Sequence, residues 1–247
     1  RPACVALAVA SGTMAVWLWS ASGSLGFSVA VEDIQDALPG RYQSEHFLIH
    51  YPADPDIARD IALIAEDHEF RLAQLVRDLG VEPPSRIDSY YFQSPEQKFQ
   101  WMGARNVYMA KPWRREIYMN HQDFPHQVLR HEIAHVVAGE FGDPIFGVAA
   151  GRVLGIPLFF NVGLIEGTAV AADWPDHFDK ALTPHQSVKA MQALGYAPPT
   201  HKLFSTGFLS FASGRSYTVA GSFLRFLLDE YGAQPLRSVY RNGGDFM

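Results

Sequence analysis

Cysteine is nearly missing from this chain: among 247 residues there is one, Cys4. A single thiol closes no internal disulfide and cannot supply a cysteine-ligated zinc site. Cys4 also lies in the most apolar stretch of the chain, where it reads as a small apolar residue rather than a nucleophile. Basic charge is scarce as well, with 20 Lys and Arg against 26 Asp and Glu and a net charge of −6. Nucleic-acid binding rests on clustered cations that release counterions. The nearest thing to a cluster, Lys111, Arg114 and Arg115, is interrupted by Pro112 and Trp113. No nucleic-acid partner is expected. A phosphate loop is absent too: Gly147, Gly151 and Gly155 recur every four residues without the Gly-Lys-Ser/Thr that such a loop requires. Around Ser213-Gly-Arg-Ser216 there is no nucleophile-elbow pattern, which argues against a serine hydrolase.

No charged residue occurs from Ala3 to Val31. The run Ala3–Ser20, with Trp17 and Trp19 near its end, has the length and composition of a membrane-spanning helix. A signal segment is the competing reading, because Ser28-Val29-Ala30 offers small residues at cleavage-site spacing, and a buried core helix is the third. Arg1 is the only basic residue before Arg41, which places the start of the chain on the cytoplasmic side and the rest outside. The first residue is Arg rather than Met, so a longer parent chain is expected. These features predict an apolar leader over 1–38 and a membrane-associated or exported protein whose folded part, 39–247, faces away from the cytoplasm.

With 48% hydrophobic and 19% charged residues, the remainder has the balance of a globular domain. Phe47–Tyr51, Arg86–Phe92, Asn106–Met109 and Glu116–Asn120 read as strands. Ile57, Ile61, Ile64, His68, Leu72, Leu75 and Leu79 recur at helical spacing up to Gly80, and Pro95–Trp101 reads as a short helix. Beyond Pro125 the pattern turns helical: His126–Phe141, Gly163–Ala172, Pro184–Leu194 and Tyr217–Tyr231, with a further start at Pro235. A half of sheet followed by a half of helices predicts an α+β fold, with a small sheet covered by helices on one side and a cleft between an N-lobe (about 41–142) and a C-lobe (about 143–247). The segment Pro144–Ile165 is apolar except for Arg152 and is expected either as a hairpin packed on the core or as a surface lying on a membrane.

The chemistry concentrates in His131-Glu132-Ile-Ala-His135. On a helix, residues four apart stand one above the other, so two imidazoles at that spacing can share one zinc ion. Glu132, beside the first histidine, is placed to take a proton from a metal-activated water. Val128, Leu129, Ile133, Val136 and Val137 surround this trio with apolar side chains. Burying ionisable groups among them costs several kcal/mol each unless a partner satisfies them, and a metal does so. A third protein ligand is needed. Ala138 and Phe141 stand where a His-rich extension of the motif would place glycine and histidine, and Glu140 points off the face. Glu166, a lone carboxylate in the apolar run Asn161–Ala172, is the next candidate, with Asp173 and His177 as alternatives.

These pieces resemble the gluzincin branch of zinc peptidases, which includes thermolysin, and more closely the peptidase-MA-like family of bacterial metallohydrolases. The matching segments are His131–His135, Glu166-Gly-Thr-Ala169 and Arg215–Gly232, within a pattern covering roughly residues 41 to 245. The resemblance implies a zincin-like fold with an edge strand that pairs with extended substrate, here Glu116–Asn120. It also implies zinc as cofactor, a peptide or protein substrate, and an oxyanion-stabilising residue, for which Tyr217 is the candidate. Two departures stand out. The Asp that orients the first histidine in such enzymes is Val170 here, leaving Asp173 or a backbone carbonyl for that role, and the apolar stretch Pro144–Ile165 stands between the motifs. The resemblance also implies further helices past Met247. A zinc amidohydrolase acting on a cell-wall or other non-peptide amide, and a catalytically silent membrane-linked scaffold, are the alternative readings.

Overall fold

The computed structural model describes residues 2–22, 29–174 and 182–243. Its first element, α1 (Pro2–Ser20), is a 19-residue helix with none of its residues buried. Among the described residues it is the one helix long and apolar enough to cross a membrane, dimensions that a signal sequence shares.

The folded part begins at α2 (Val31–Ala37). A mixed five-stranded sheet follows, built from β1 (Gly40–Gln43), β2 (Phe47–Tyr51), β3 (Ile87–Phe92), β4 (Met109–Lys111) and β5 (Glu116–Asn120) in the order β1-β2-β3-β5-β4. The inner strands β2, β3 and β5 run parallel, and β1 and β4 close the two edges antiparallel to their neighbours. Helices α3 (Pro55–Leu79) and α4 (Pro95–Met102) make the crossovers. Asp54 caps α3 by accepting from the amides of Asp56 and Ile57, and Gly80 ends it at φ 60, where a side chain would be disfavoured.

Alternation along the strands sorts the core into two faces. Phe47, Ile49, Ile87, Tyr91, Ile117 and Met119 belong to the main core with α3 and α5 (Leu129–Gly139). Tyr90, Phe92 and Tyr118 face the other way, under Ile34 and Leu38. The sheet is therefore covered on both sides, not one. The covering residues on the second side come from a segment assigned by sequence to the leader, because α2 is too short to show a helical period.

The expected α+β character holds. Strand order differs from expectation in one place that matters: Glu116–Asn120 is an inner strand, buried at every position, and the free edge belongs to β4. Beyond α5 comes a hairpin, β6 (Ala150–Val153) and β7 (Ile156–Phe160), then α6 (Val162–Ala172), α7 (Pro184–Ala193), α8 (Thr200–Leu203), α9 (Ser213–Tyr231) and α10 (Ala233–Arg241). The hairpin roots in the core through Val148, Ala149 and Ala150, but its outer half is exposed. The core expectation for this segment thus holds at its base only.

Helix α6 packs along α9 at very short range because glycines face the contact. A Cβ on Gly167 would meet Ala220 at 3.0 Å, and one on Gly221 would meet Val170 at 2.2 Å. Asn161 starts α6 as its cap. Its Oδ1 accepts from the Leu164 amide while its Nδ2 donates to the carbonyls of Phe204 and Gly243, so a fully buried amide leaves no group unpaired.

Candidate metal centre

The site starts from α5. Leu129, Ile133, Ala134, Val136 and Val137 are buried on both sides of the helix, which fixes its rotation and turns His131 and His135 to the same cleft. Its entry is held by His126, whose Nε2 lies 2.9 Å from the Asn120 carbonyl and whose Nδ1 accepts from the Val128 amide. That ring ties the end of β5 to the first turn of α5. Farther round, Arg130 donates to Asp78 at 2.9 Å and binds α5 to α3.

From the opposite wall α6 brings Glu166. One carboxylate oxygen, Oε2, stands 3.4 Å from Nε2 of His131 and 3.4 Å from Nε2 of His135. The two imidazole rings meet edge to face, 4.9 Å between centres. Ligand atoms of His131, His135 and Glu166 all fall within 4.8 Å of one another, the sole grouping of this kind among the described residues. The trio nominated from sequence is therefore brought together. Asp173 lines the same cleft but lies outside the grouping, and His177 is outside the described residues.

Electrostatics follow from the packing. Burial raises the cost of a charged Glu166, yet hydrogen bonds from His131 and His135 outweigh it and hold the carboxyl far below the usual range. Glu132, 5% exposed, is pushed up by burial against the downward pull of the two histidines, and no hydrogen bond contributes to its shift. Burial raises Asp173 to about 6. Tyr217, on the second turn of α9, is pushed up first by burial and then by the Glu166 carboxylate that its hydroxyl faces. The phenol stays protonated, a donor rather than an anion.

The donor set fits a divalent cation of the zinc class: two imidazoles and one carboxylate, three ligands that leave a position open. His135 turns Nε2 toward the carboxylate, and its Nδ1 is buried with no hydrogen-bond partner. Three donors converging on one point in a cleft can hold a metal. The cleft itself, about 540 Å³, runs from Val107–Ala110 beside β4, past Trp113, to Ile165 and Tyr217.

No protein-family model and no curated protein matches the chain.

One residue that braces the site carries no sequence signal of its own. Lys98 is fully buried; its Nζ donates to the Val107 carbonyl and lies 4.9 Å from the centre of the Tyr108 ring, bracing the cleft wall in front of β4. Burial lowers its pKa to about 8. A lone lysine on a short helix looks solvated in sequence, and only the fold reveals its partner. Elsewhere, a smaller pocket of about 120 Å³ contains His68, His121 and His126, but both ring nitrogens of His68 and of His126 are spent on structural hydrogen bonds.

Proposed function

We propose that this chain is a zinc-dependent peptidase of gluzincin type, with His131, His135 and Glu166 as metal ligands and Glu132 as general base. The observation that carries the reading is the convergence of those three donors, with Glu132 buried beside them in the same cleft. Bound zinc would polarise the scissile carbonyl and lower the pKa of a water toward neutrality.

The chain's own groups do the rest. Glu132 takes the proton of the attacking water and hands it to the departing amine, a task suited to a carboxylate whose pKa burial has raised. Tyr217, protonated and at the cleft wall, donates to the oxygen that gains negative charge. Substrate orientation falls to β4. Its outer edge is unpaired within the sheet, and its residues line the cleft beside the histidines, so an extended peptide can add there as a further strand. Apolar walls at Val128, Val148 and Ile165 favour an apolar side chain next to the cleaved bond. The exposed apolar helix α1 supports placement at a membrane or export across one, and Arg1 ahead of it supports a catalytic part outside the cytoplasm.

The test combines metal analysis of the purified full chain with an assay on a peptide library and, in parallel, on cell-wall amides. One zinc per chain and peptide cleavage are expected, with Glu132→Gln lowering turnover at least about a thousandfold while zinc stays bound. Undiminished turnover in that variant removes Glu132 as base. Cleavage of wall amides alone changes the substrate class, and zinc binding without any hydrolysis leaves a silent scaffold.

A further inference from the structure

The outer half of the β6–β7 hairpin is accounted for by neither the core nor the metal site. Its two-residue turn, Leu154-Gly155, has both residues at positive φ, 53 and 78. Such turns favour Asn or Gly at the first position, since a larger side chain disfavours the left-handed region. Here that position holds leucine, and Leu154 is 97% exposed, the highest value among the exposed large hydrophobic residues. Ile156, Leu158 and Phe160 follow on one face of β7, all exposed.

The one charge near the tip is paired. Arg152, the single charged residue between Pro144 and Ile165, donates to the buried Asp143 carboxylate and to the Gly155 carbonyl. Aromatics gather at the base instead. Trp113 stacks on Phe160 with ring centres 6.5 Å apart, and Phe146 meets Phe160 at 5.3 Å. An aliphatic tip above an aromatic collar is the order in which side chains distribute from the interior of a bilayer to its surface. The chain also carries its own reason to be near lipid. α1 is an exposed helix of spanning length, and only the ten residues from Ala21 to Ala30 separate it from α2, which packs on the sheet. At full extension that tether reaches roughly 35 Å.

We propose that the β6–β7 hairpin dips into a lipid bilayer, with Leu154 deepest and Trp113 at the interface. The partner is the acyl-chain phase itself and not a charged headgroup, because no unpaired cation stands at the tip. Trp113 and Phe160 also line the cleft, so insertion sets the cleft mouth at the membrane surface. The inference stands apart from the zinc reading and survives its failure.

The test uses the full chain with Cys4→Ser, a nitroxide label at Leu154→Cys, Leu158→Cys or the exposed α3 position Glu66→Cys, and phosphatidylcholine vesicles. Power-saturation spectroscopy compares access of oxygen, which concentrates in lipid, with that of a water-soluble nickel chelate. The oxygen-to-nickel ratio at 154 is expected to exceed that at 66 several-fold, with 158 between them and no dependence on salt. Equal ratios at 154 and 66 overturn the proposal. Shielding of 154 from both reagents, with broadening between labels, also overturns it and gives the hairpin to a second copy of the chain. A thermal midpoint unchanged by Leu154→Cys shows that the label site leaves the fold intact.

Discussion

His68 illustrates how one buried side chain sets a property of the whole protein. It is fully enclosed, its Nδ1 hydrogen donated to the Ile64 carbonyl and its Nε2 accepting from Ser89. Burial pushes its pKa down to about 4 from an ordinary value of 6.5. The unfolded chain binds this proton more readily than the folded one, so stability falls as pH drops from about 6.5 to about 4, by about 3 kcal/mol from this group alone. Urea unfolding at pH 7 and pH 4.5 measures the loss. In His68→Gln, less stable throughout, that part of the pH dependence should vanish. Legibility at this scale depended on whether a residue announces its own partner. His131 and His135 do, because four-residue spacing on a helix is a geometric statement. Glu166 did so more weakly, as an isolated acid in an apolar run. Lys98, Asp143 and Asn161 did not, since their partners at Val107, Arg152, Phe204 and Gly243 are set by tertiary packing.

The pairing of α6 with α9 decides where Glu166 stands. Gly163 has the least room of the α6 glycines: a Cβ there would lie 2.1 Å from the Leu203 carbonyl oxygen, which is backbone and cannot turn aside. Gly163→Ala should therefore destabilise by about 1–3 kcal/mol or more, although alanine is the better helix former. Calorimetry reads the drop in Tm, and a neutral or raised Tm would show that α6 can slide on its neighbours. Long, periodic helices such as α3 were legible to within a residue or two, since their apolar stripe repeats over several turns. Sheet order was not. Glu116–Asn120 resembled an edge strand by its place before the helix, yet five successive buried positions are the mark of an inner strand. The true edge, Met109–Lys111, shares one residue with the strand expected over Asn106–Met109; three half-buried positions carry too little pattern to fix its bounds or mark it as an edge.

At the scale of the molecule, the donor cluster joins α5 to α6 across the cleft. A metal bound there would cross-link both sides in the folded state alone. Chelation should lower Tm, and added zinc should restore it by an amount that grows with the logarithm of free metal. A Tm indifferent to chelator in a zinc-loaded sample would place the ion elsewhere. In an acid shift, the same experiment should show weaker zinc rescue, because protons compete for the imidazoles.

Asn161 carries a consequence of its own. It stands between the last residue of the hairpin and the first of α6, and its backbone N–H and side chain make four hydrogen bonds: the N–H to Ala149, the side chain to Leu164, Phe204 and Gly243. A residue moored on four sides acts as a mechanical stop. Bending or tugging of the hairpin tip ends there, and the carboxylate five positions farther on keeps its distance from the two rings however the arm outside is loaded.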